Sequence, residues 1–335
     1  MFKYFQGETA NEIWTKAYNS VIDSDIEDSR AGKMKEVLHA ALSLSNPTQR
    51  WISYKYPPIS IGYALAELIW VLSGSDDAKV INYWNLNLPQ YAGDYLNYPG
   101  AYGNRIINRY DVNQLEKVYE TLYNHPESRQ AVILIWDPRI DLPANCGKPN
   151  NSDIPCNICS MIKVREGKLE WTQIMRSNDL ILGFPYNIVL FTSLQEILAS
   201  WLNLDIGSYN HISDSLHIYE NQFERIRVGN TDIYNHESLS IAHSDFYSVI
   251  DLIYKKMQYI SANPLLSAKE LISIANTDTG YIEYNNILKI VCAYAANKIH
   301  AIKERDEIVN SCTNSAYKML WQKWLKKYSG GILDE

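Results

Sequence analysis

Apolar residues recur at helical spacing over residues 8–24 and 31–44, and the pattern predicts a helix in each. The second of these, "SRAGKMKEVLHAALSLSNP", has a polar start and a proline stop. Residues 59–74, "ISIGYALAELIWVLSG", are apolar almost throughout. They predict a buried helix ending at Gly74, interrupted by one acid, Glu67. A short apolar run, "QAVILIWDP" (130–138), reads as a buried strand halted by proline, and the Pro-, Asn- and Gly-rich stretch 139–155 reads as a loop. "CSMIKVREGKLEWTQIMRS" predicts two strands joined by a turn at Glu166 and Gly167. "NIVLFTSLQEILASWLNLDI" predicts a long, mostly buried helix, with "HISDSLHIYE" (211–220) between helices after it. Beyond residue 230 the strand signals fade and amphipathic helices follow one another. The pattern therefore predicts an α+β core over 1–230 and a mainly helical C-terminal extension over 231–335.

Composition narrows the picture. The 335 residues are 46% hydrophobic and 21% charged, enough to bury a substantial core. No apolar run has the length of a membrane span. The first twenty residues lack the apolar core of a secretory signal, which points to the cytoplasm. A net charge of -7 argues against a nucleic-acid backbone binder but leaves room for a small anion held by a few arginines. Five cysteines at irregular spacings include one C-x-x-C, Cys156 and Cys159. With no second such pair and no histidines at ligand spacing, no metal is expected, and reduced thiols are the simpler reading.

Several residues could carry chemistry. A cysteine in an apolar strand is more often a buried structural thiol, but Cys156 follows Pro155 at a loop-to-strand junction. Arg176 lies on the next strand, where a guanidinium would favour the thiolate. Arg30, Arg129 and Arg176 each adjoin a serine, a combination suited to a phosphate, although any one alone reads as a surface arginine. Glu67 either reaches outward or faces a polar cavity, where burial would raise its proton affinity. His217 and Tyr219, two apart, could point the same way and hold a sugar hydroxyl, with Asp214 nearby.

The stretch "RSNDLILGFPYN" (176–187) combines a charge, amides, an apolar run and Gly-x-Pro. Extended to "QIMRSNDLILGFPYN", with "IPCN" before it and "SDSLHIYENQ" after it, it resembles the thymidylate synthase superfamily, which includes pyrimidine-nucleotide hydroxymethylases. Upstream, "AELIWVLSG", "GAYGNRI" and "ESRQAVILIWDP" are similar to further family segments, so the resemblance runs from about residue 60 to 224. It implies a mixed sheet with packed helices and a one-carbon transfer from 5,10-methylenetetrahydrofolate to C5 of a pyrimidine nucleoside monophosphate. By the same resemblance Cys156 is the nucleophile at C6, Arg176 supports its thiolate, Tyr102 serves removal of the C5 proton, and Glu67 organises water and proton transfers. Phosphate contacts fall to Arg30, Arg176, Ser177 and Arg129, the last from a second subunit of a homodimer. Asn187 reads the pyrimidine edge, Asp179 lies by base and folate, and His217 and Tyr219 hold the sugar. Folate contacts are implied for Glu67, Trp84, Asp179, Gly183 and Tyr186.

Four departures shape the expected reaction. Asn157 follows the nucleophile where the synthases usually have histidine, and Gln130 replaces a second arginine. "SDSLH" carries an extra residue between acid and histidine. The chain ends in "GGILDE" after a helical extension, in place of the family's closing strands. In the synthases the terminal segment keeps water from the exocyclic intermediate. An altered cap would let water add, so a hydroxymethylated product is expected, with methylation of dUMP as the alternative. Asn187 favours uracil, since the deoxycytidylate hydroxymethylases of the superfamily carry aspartate there, but an amide can turn over and cytosine stays open. A non-catalytic nucleotide-binding relative and a cysteine hydrolase using Cys156, His217 and Asp214 are the rival classes.

Overall fold

The computed structural model describes residues 1–143 and 153–327. Cys146 and the terminal "GGILDE", on which the expectation of an altered cap rests, lie outside the described residues. The chain begins with strand β1 (Lys3–Gly7), helix α1 (Ala10–Ile22), a hairpin of β2 (Ile26–Ser29) and β3 (Gly32–Leu44), and short β4 (Lys55–Tyr56). Helices α2 (Ile61–Leu72), α3 (Ala78–Trp84), α4 (Leu88–Ala92), α5 (Tyr102–Ile107) and α6 (Gln114–Asn124) follow. Then come β5 (Val132–Leu134), α7 (Pro138–Asp141), β6 (Asn157–Arg165), β7 (Lys168–Met175), β8 (Asn178–Asp179), α8 (Phe184–Trp201), β9 (Asp205–Tyr219) and β10 (Arg227–Val228). Five helices close the described chain: α9 (His243–Ala262), α10 (Ala268–Ala275), α11 (Ile282–Lys298), α12 (Ile302–Ser311) and α13 (Ser315–Lys326).

The main sheet is mixed, in the order β1-β3-β9-β7-β6-β5, with β2 on β3 and β8 on β9. Two expectations fail here. Residues 31–44 form no helix but the long strand β3, and 211–220 are not a connection but the second half of β9. Lys, Glu, Leu and Ala favour a helix in isolation, yet β3 is bonded on both sides, parallel to β1 and antiparallel to β9. That double pairing overrides a weak local preference. Its apolar residues obey the strand period: Ala40, Leu42 and Leu44 are buried on one face.

On that face, Leu42, Trp171, Tyr209 and Leu216 are buried in a cluster that also takes in residues of α1, α2 and α8. The opposite face, carrying Ala41, Ser43, Thr172, Ile174, Asn210 and Ile212, is half-exposed. Helix α2 is apolar all round because it is covered all round: eleven of its twelve residues are buried, and Glu67 is the exception. Helix α11 crosses it so closely that a Cβ on Gly62 would lie 2.6 Å from the Tyr294 ring. The helices after residue 242 thus share one hydrophobic cluster with α2 and α8. A buried Arg50–Glu196 ion pair ties the segment before β4 to α8. Glu196 Oε1 also accepts from Ser238 Oγ and Leu239 N, each at 2.9 Å, and so reaches the stretch leading into α9. Among the described residues, no helix is long and apolar enough to cross a membrane.

Candidate active site

Cys156 sits immediately before β6, its carbonyl accepting from Arg176 N at 3.0 Å as the chain leaves β7. This places the two side chains together: Arg176 Nη2 is 4.0 Å from Cys156 Sγ. The guanidinium is aimed by its own bonds, Nε donating to Pro155 O (3.1 Å) and Nη2 to Ile154 O (3.2 Å), and it lies over the Trp136 ring. Burial pushes the Cys156 thiol above its ordinary range, Arg176 pulls it down, and Asp153 and Asp179 push it up again. The net direction is upward, so the resting thiol is protonated at neutral pH.

Tyr102 opens α5 and faces the same space. Its hydroxyl is raised by burial first, then by Cys156; a hydrogen bond from Asn157 lowers it, while Glu67 and Asp153 raise it further. Two features fix α5. Arg105, fully buried, holds Asp141 through Nη1 (2.5 Å) and Nη2 (2.9 Å) and donates to Pro99 O and Ile135 O. A Cβ on Gly103 would lie 2.3 Å from Val71 O, so α5 is seated directly on the end of α2. From α2 itself, Glu67 accepts from Tyr63 Oη at 2.7 Å. Burial carries the Glu67 carboxyl up to about 7, and Tyr63 restrains the rise.

The other wall is built by β8 and β9, where Asn178 and Asp179 pair with Leu216 and His217. Asp179 Oδ1 accepts from Ile181 N (2.7 Å) and Leu182 N (2.8 Å), and Oδ2 from Gln222 Nε2 (3.2 Å). This explains the mixed polarity of residues 176–187: the acid caps its own turn, Gly183 follows, and α8 begins at Phe184. A Cβ on Gly183 would press on Asn178 Oδ1 and Asp179 O at 3.3 Å. Asn187, in the first turn of α8, faces Asn157 and Asn178. His217 and Tyr219 lie on the same face of β9, rings 5.0 Å apart. Burial lowers the proton affinity of His217 and raises that of Tyr219; Asp179 and Cys156 add to the latter and Arg30 opposes it.

The structure thus brings Cys156, Arg176, Tyr102, Glu67, Asp179, Asn187, His217 and Tyr219 into one electrostatic neighbourhood, with Ser177 next to Arg176 and Arg30 at the β2–β3 turn near Tyr219. Tyr186 lies at its edge, its hydroxyl accepting from Ser60 N (3.0 Å) and its ring 5.0 Å from Tyr63. Trp84 is not brought in: it is buried under α11 with its indole N–H donating to Val291 O. Arg129, expected from a second subunit, is exposed ahead of the edge strand β5. Asp214 is also elsewhere: it is exposed and bonds His39 at 2.8 Å, while His217 Nδ1 lies 3.2 Å from Ser215 Oγ. The hydrolase triad is therefore not assembled. Cys156 and Cys159 are both free thiols.

Sequence reasoning missed four residues here. Asp153, half-buried, bonds Gly100 N and raises both Cys156 and Tyr102. Lys55 is buried, its amine lowered to about 8 by burial and then by Lys327, with Asp179 opposing. Gln173 and Asn178 are buried polar residues on β7 and β8. Lys55, a lone charge between aromatic and apolar residues, carried the kind of signal that Glu67 did; Asp153 and Asn178 stand among polar neighbours, and Gln173 is one glutamine on a strand.

A family model described as thymidylate synthase matches residues 44–261. The chain belongs to the thymidylate synthase family. Members of the family are one-carbon transferases, and the superfamily includes the hydroxymethylases. Among its relatives, a deoxyuridylate hydroxymethyltransferase of Bacillus phage SP01 is 33% identical over 227 residues, covering 64% of this chain and 58% of that protein. A second protein of that description, from Pseudomonas phage M6, is 30% identical over 182 residues, 54% of this chain and 50% of the relative. The chain therefore spans between half and three-fifths of these two family members. A putative thymidylate synthase of Methanothermobacter marburgensis is 28% identical over 226 residues, 64% of this chain and 92% of the relative.

Proposed function

We propose that this chain transfers a one-carbon unit from 5,10-methylenetetrahydrofolate to C5 of a uridylate, with a hydroxymethylated product. The observation that carries the reading is Cys156 Sγ, 4.0 Å from the Arg176 guanidinium, with the Tyr102 hydroxyl under the influence of both Cys156 and the Glu67 carboxyl. C5 of a pyrimidine is a poor nucleophile. Addition of the Cys156 thiolate at C6 makes C5 electron-rich enough to take the one-carbon unit; with loss of the C5 proton tetrahydrofolate would depart, water would add to the exocyclic carbon as hydroxyl, and the C6–S bond would then break to return the thiolate. Arg176 stabilises the thiolate, Asn187 holds the polar groups at N3 and C4, and Tyr102 is positioned for the C5 proton. Glu67, poised at about 7, holds or passes a proton through water at neutral pH.

Arg30, Arg176 and Ser177 suit the 5'-phosphate, and His217 with Tyr219 a sugar hydroxyl. Arg129 contributes only if a second copy brings it in. The half-exposed sheet face supports a homodimer. The folate supplies the carbon at the oxidation level of formaldehyde. One feature of the lining suits it: Gln222 donates to Asp179 while its Oε1 is a buried acceptor with no partner among the described residues. A ring bearing N–H donors satisfies such an atom. Glu67, Asp179, Gly183 and Tyr186 are the residues proposed to hold it.

The deoxyuridylate hydroxymethyltransferase relatives support uracil and hydroxymethyl. The second reading, methylation of dUMP, is favoured by the putative synthase of Methanothermobacter marburgensis, 92% of which the match covers. The deciding experiment is a mass-spectrometric product assay with methylenetetrahydrofolate and, separately, dUMP, dCMP, UMP and CMP. Hydroxymethyl-dUMP with tetrahydrofolate is the expected result. Methyl-dUMP with dihydrofolate establishes the second reading, and no product from any nucleotide overturns both.

A further inference from the structure

Four amides and an indole form a hydrogen-bond chain that runs from β7 to the cleft, and its direction is fixed at one end. Trp171 is fully buried and has one polar atom, an N–H that can only donate. It donates to Gln173 Oε1 at 3.3 Å, where Ser160 Oγ also donates at 2.6 Å. Turning the Gln173 amide over would set its NH2 against the indole N–H, two buried donors face to face. Gln173 Nε2 therefore donates to Asn157 Oδ1 at 2.8 Å. Asn157 Nδ2 is left to face Asn187 Oδ1 at 3.4 Å, and Asn187 Nδ2 to face Asn178 Oδ1 at 3.4 Å. Asn178 Nδ2 ends the chain on His211 Nε2 (2.9 Å) and Ser213 Oγ (3.1 Å). Burial carries His211 down to about 3, so its ring is neutral, with Nε2 accepting and Nδ1–H donating to Tyr209 Oη at 2.8 Å.

We propose that Gln173, locked by Trp171, is the positioning residue that fixes the polarity of Asn187 and thereby makes the site take a 4-oxopyrimidine nucleotide and refuse the 4-amino analogue. Uracil presents a donor at N3 and an acceptor at C4; cytosine presents the reverse. An asparagine free to turn over meets either pattern. Asn187 is not free, because reversing it means reversing Asn157 and Gln173 and leaving the indole N–H unpaired. After bonding Asn157 and Asn178 its amide still has one N–H and one lone pair for a ligand. That the site holds a pyrimidine, and that the fixed polarity is the one for uracil, rests on the function proposed above; the lock itself rests on Trp171 and Gln173 alone.

The test is equilibrium binding of dUMP and of dCMP, without folate, to the full chain and to three variants whose folding is checked by thermal unfolding. Trp171→Phe removes the fixed donor, Gln173→Met removes both ends of the amide, and Gln173→Glu offers acceptors only, which turns Asn157 and hence Asn187 over. A mismatched donor or acceptor in a buried site corresponds to roughly 10- to 100-fold in affinity, which is the preference for dUMP expected of the unaltered protein. Trp171→Phe and Gln173→Met bring that ratio towards one, and Gln173→Glu inverts it. A merely structural role for Gln173 would weaken both nucleotides alike and leave the ratio unchanged. Folded Trp171→Phe and Gln173→Met variants with the unaltered ratio overturn the proposal even if Gln173→Glu does not fold. An unaltered protein that binds both nucleotides equally overturns it without touching the proposed function. One that binds neither removes the pyrimidine reading and this inference with it.

Discussion

The Tyr63 hydroxyl donates at 2.7 Å to Glu67, one turn further along α2, and offsets part of the effect of burial on that carboxyl. Glu67 ordinarily titrates near 4.5 and here near 7. The folded state therefore keeps a proton that the unfolded chain loses across that window. The contribution of this group to stability is fully present below 4.5 and is lost as pH rises through about 7. If Glu67 serves the reaction, kcat/KM has a limb near neutrality. Tyr63→Phe removes an interaction that holds the carboxyl down, so the limb moves to higher pH, and Glu67→Gln removes it. A limb that stays in place in Tyr63→Phe would assign it to another group.

Cys156 answers to two opposed influences, burial and Arg176, of which burial is the larger. Alkylation of the free protein by iodoacetamide is expected to be slow at pH 7 and still climbing at the ordinary thiol value of 9.0. Replacing Arg176 with methionine removes the one influence that lowers the thiol and slows alkylation further at every pH below that range. Mapping of the modified peptide distinguishes Cys156 from Cys159, which is also free and partly exposed. An Arg176→Met protein alkylated as fast as the unaltered one would mean that the guanidinium does not act on the sulfur.

The site was legible in the sequence where one residue broke the character of its surroundings. Glu67 inside an apolar helix, Cys156 after proline, and Arg176 at the end of a strand are of this kind: Arg176 lies beside the Cys156 sulfur, and Glu67 and Cys156 both act on the Tyr102 hydroxyl. What failed depends on contacts distant in sequence. Residues 31–44 carry helix-forming side chains, and only β1 on one side and β9 on the other make them a strand. Trp84, a folate contact by resemblance, is covered by α11, two hundred residues later in the chain. Gln173 carried little signal because a glutamine on a strand is unremarkable until Trp171 and Asn157 are seen at its two ends.

Gly103 is the residue on which the position of Tyr102 rests. A Cβ there would meet Val71 O at 2.3 Å and Val71 Cα at 2.7 Å, backbone atoms that cannot swing aside. Gly103→Ala must lift α5 from α2, with a destabilisation of about 1–3 kcal/mol in urea unfolding. Because Tyr102 begins that helix, turnover should fall more than substrate binding. Equal losses in kcat and binding would mean that the whole cleft, rather than Tyr102, had moved.

Arg50 and Glu196 are each 3% exposed and are bonded to each other, to Ser193, and through Glu196 to Ser238 and Leu239. A buried charge without its partner is far worse than no charge at all. Glu196→Ala leaves the guanidinium unpaired in the core, and unfolding in urea should show a loss of about 3–5 kcal/mol. Replacing both residues with leucine removes the two charges together and should recover part of that loss. In either variant Leu239 N and the Ser238 hydroxyl lose their acceptor, so the stretch leading into α9 should exchange amide hydrogens faster while the strands of the sheet do not. A double variant no more stable than Glu196→Ala would mean that the bonds to Ser238 and Leu239, rather than the ion pair, hold the C-terminal helices to α8.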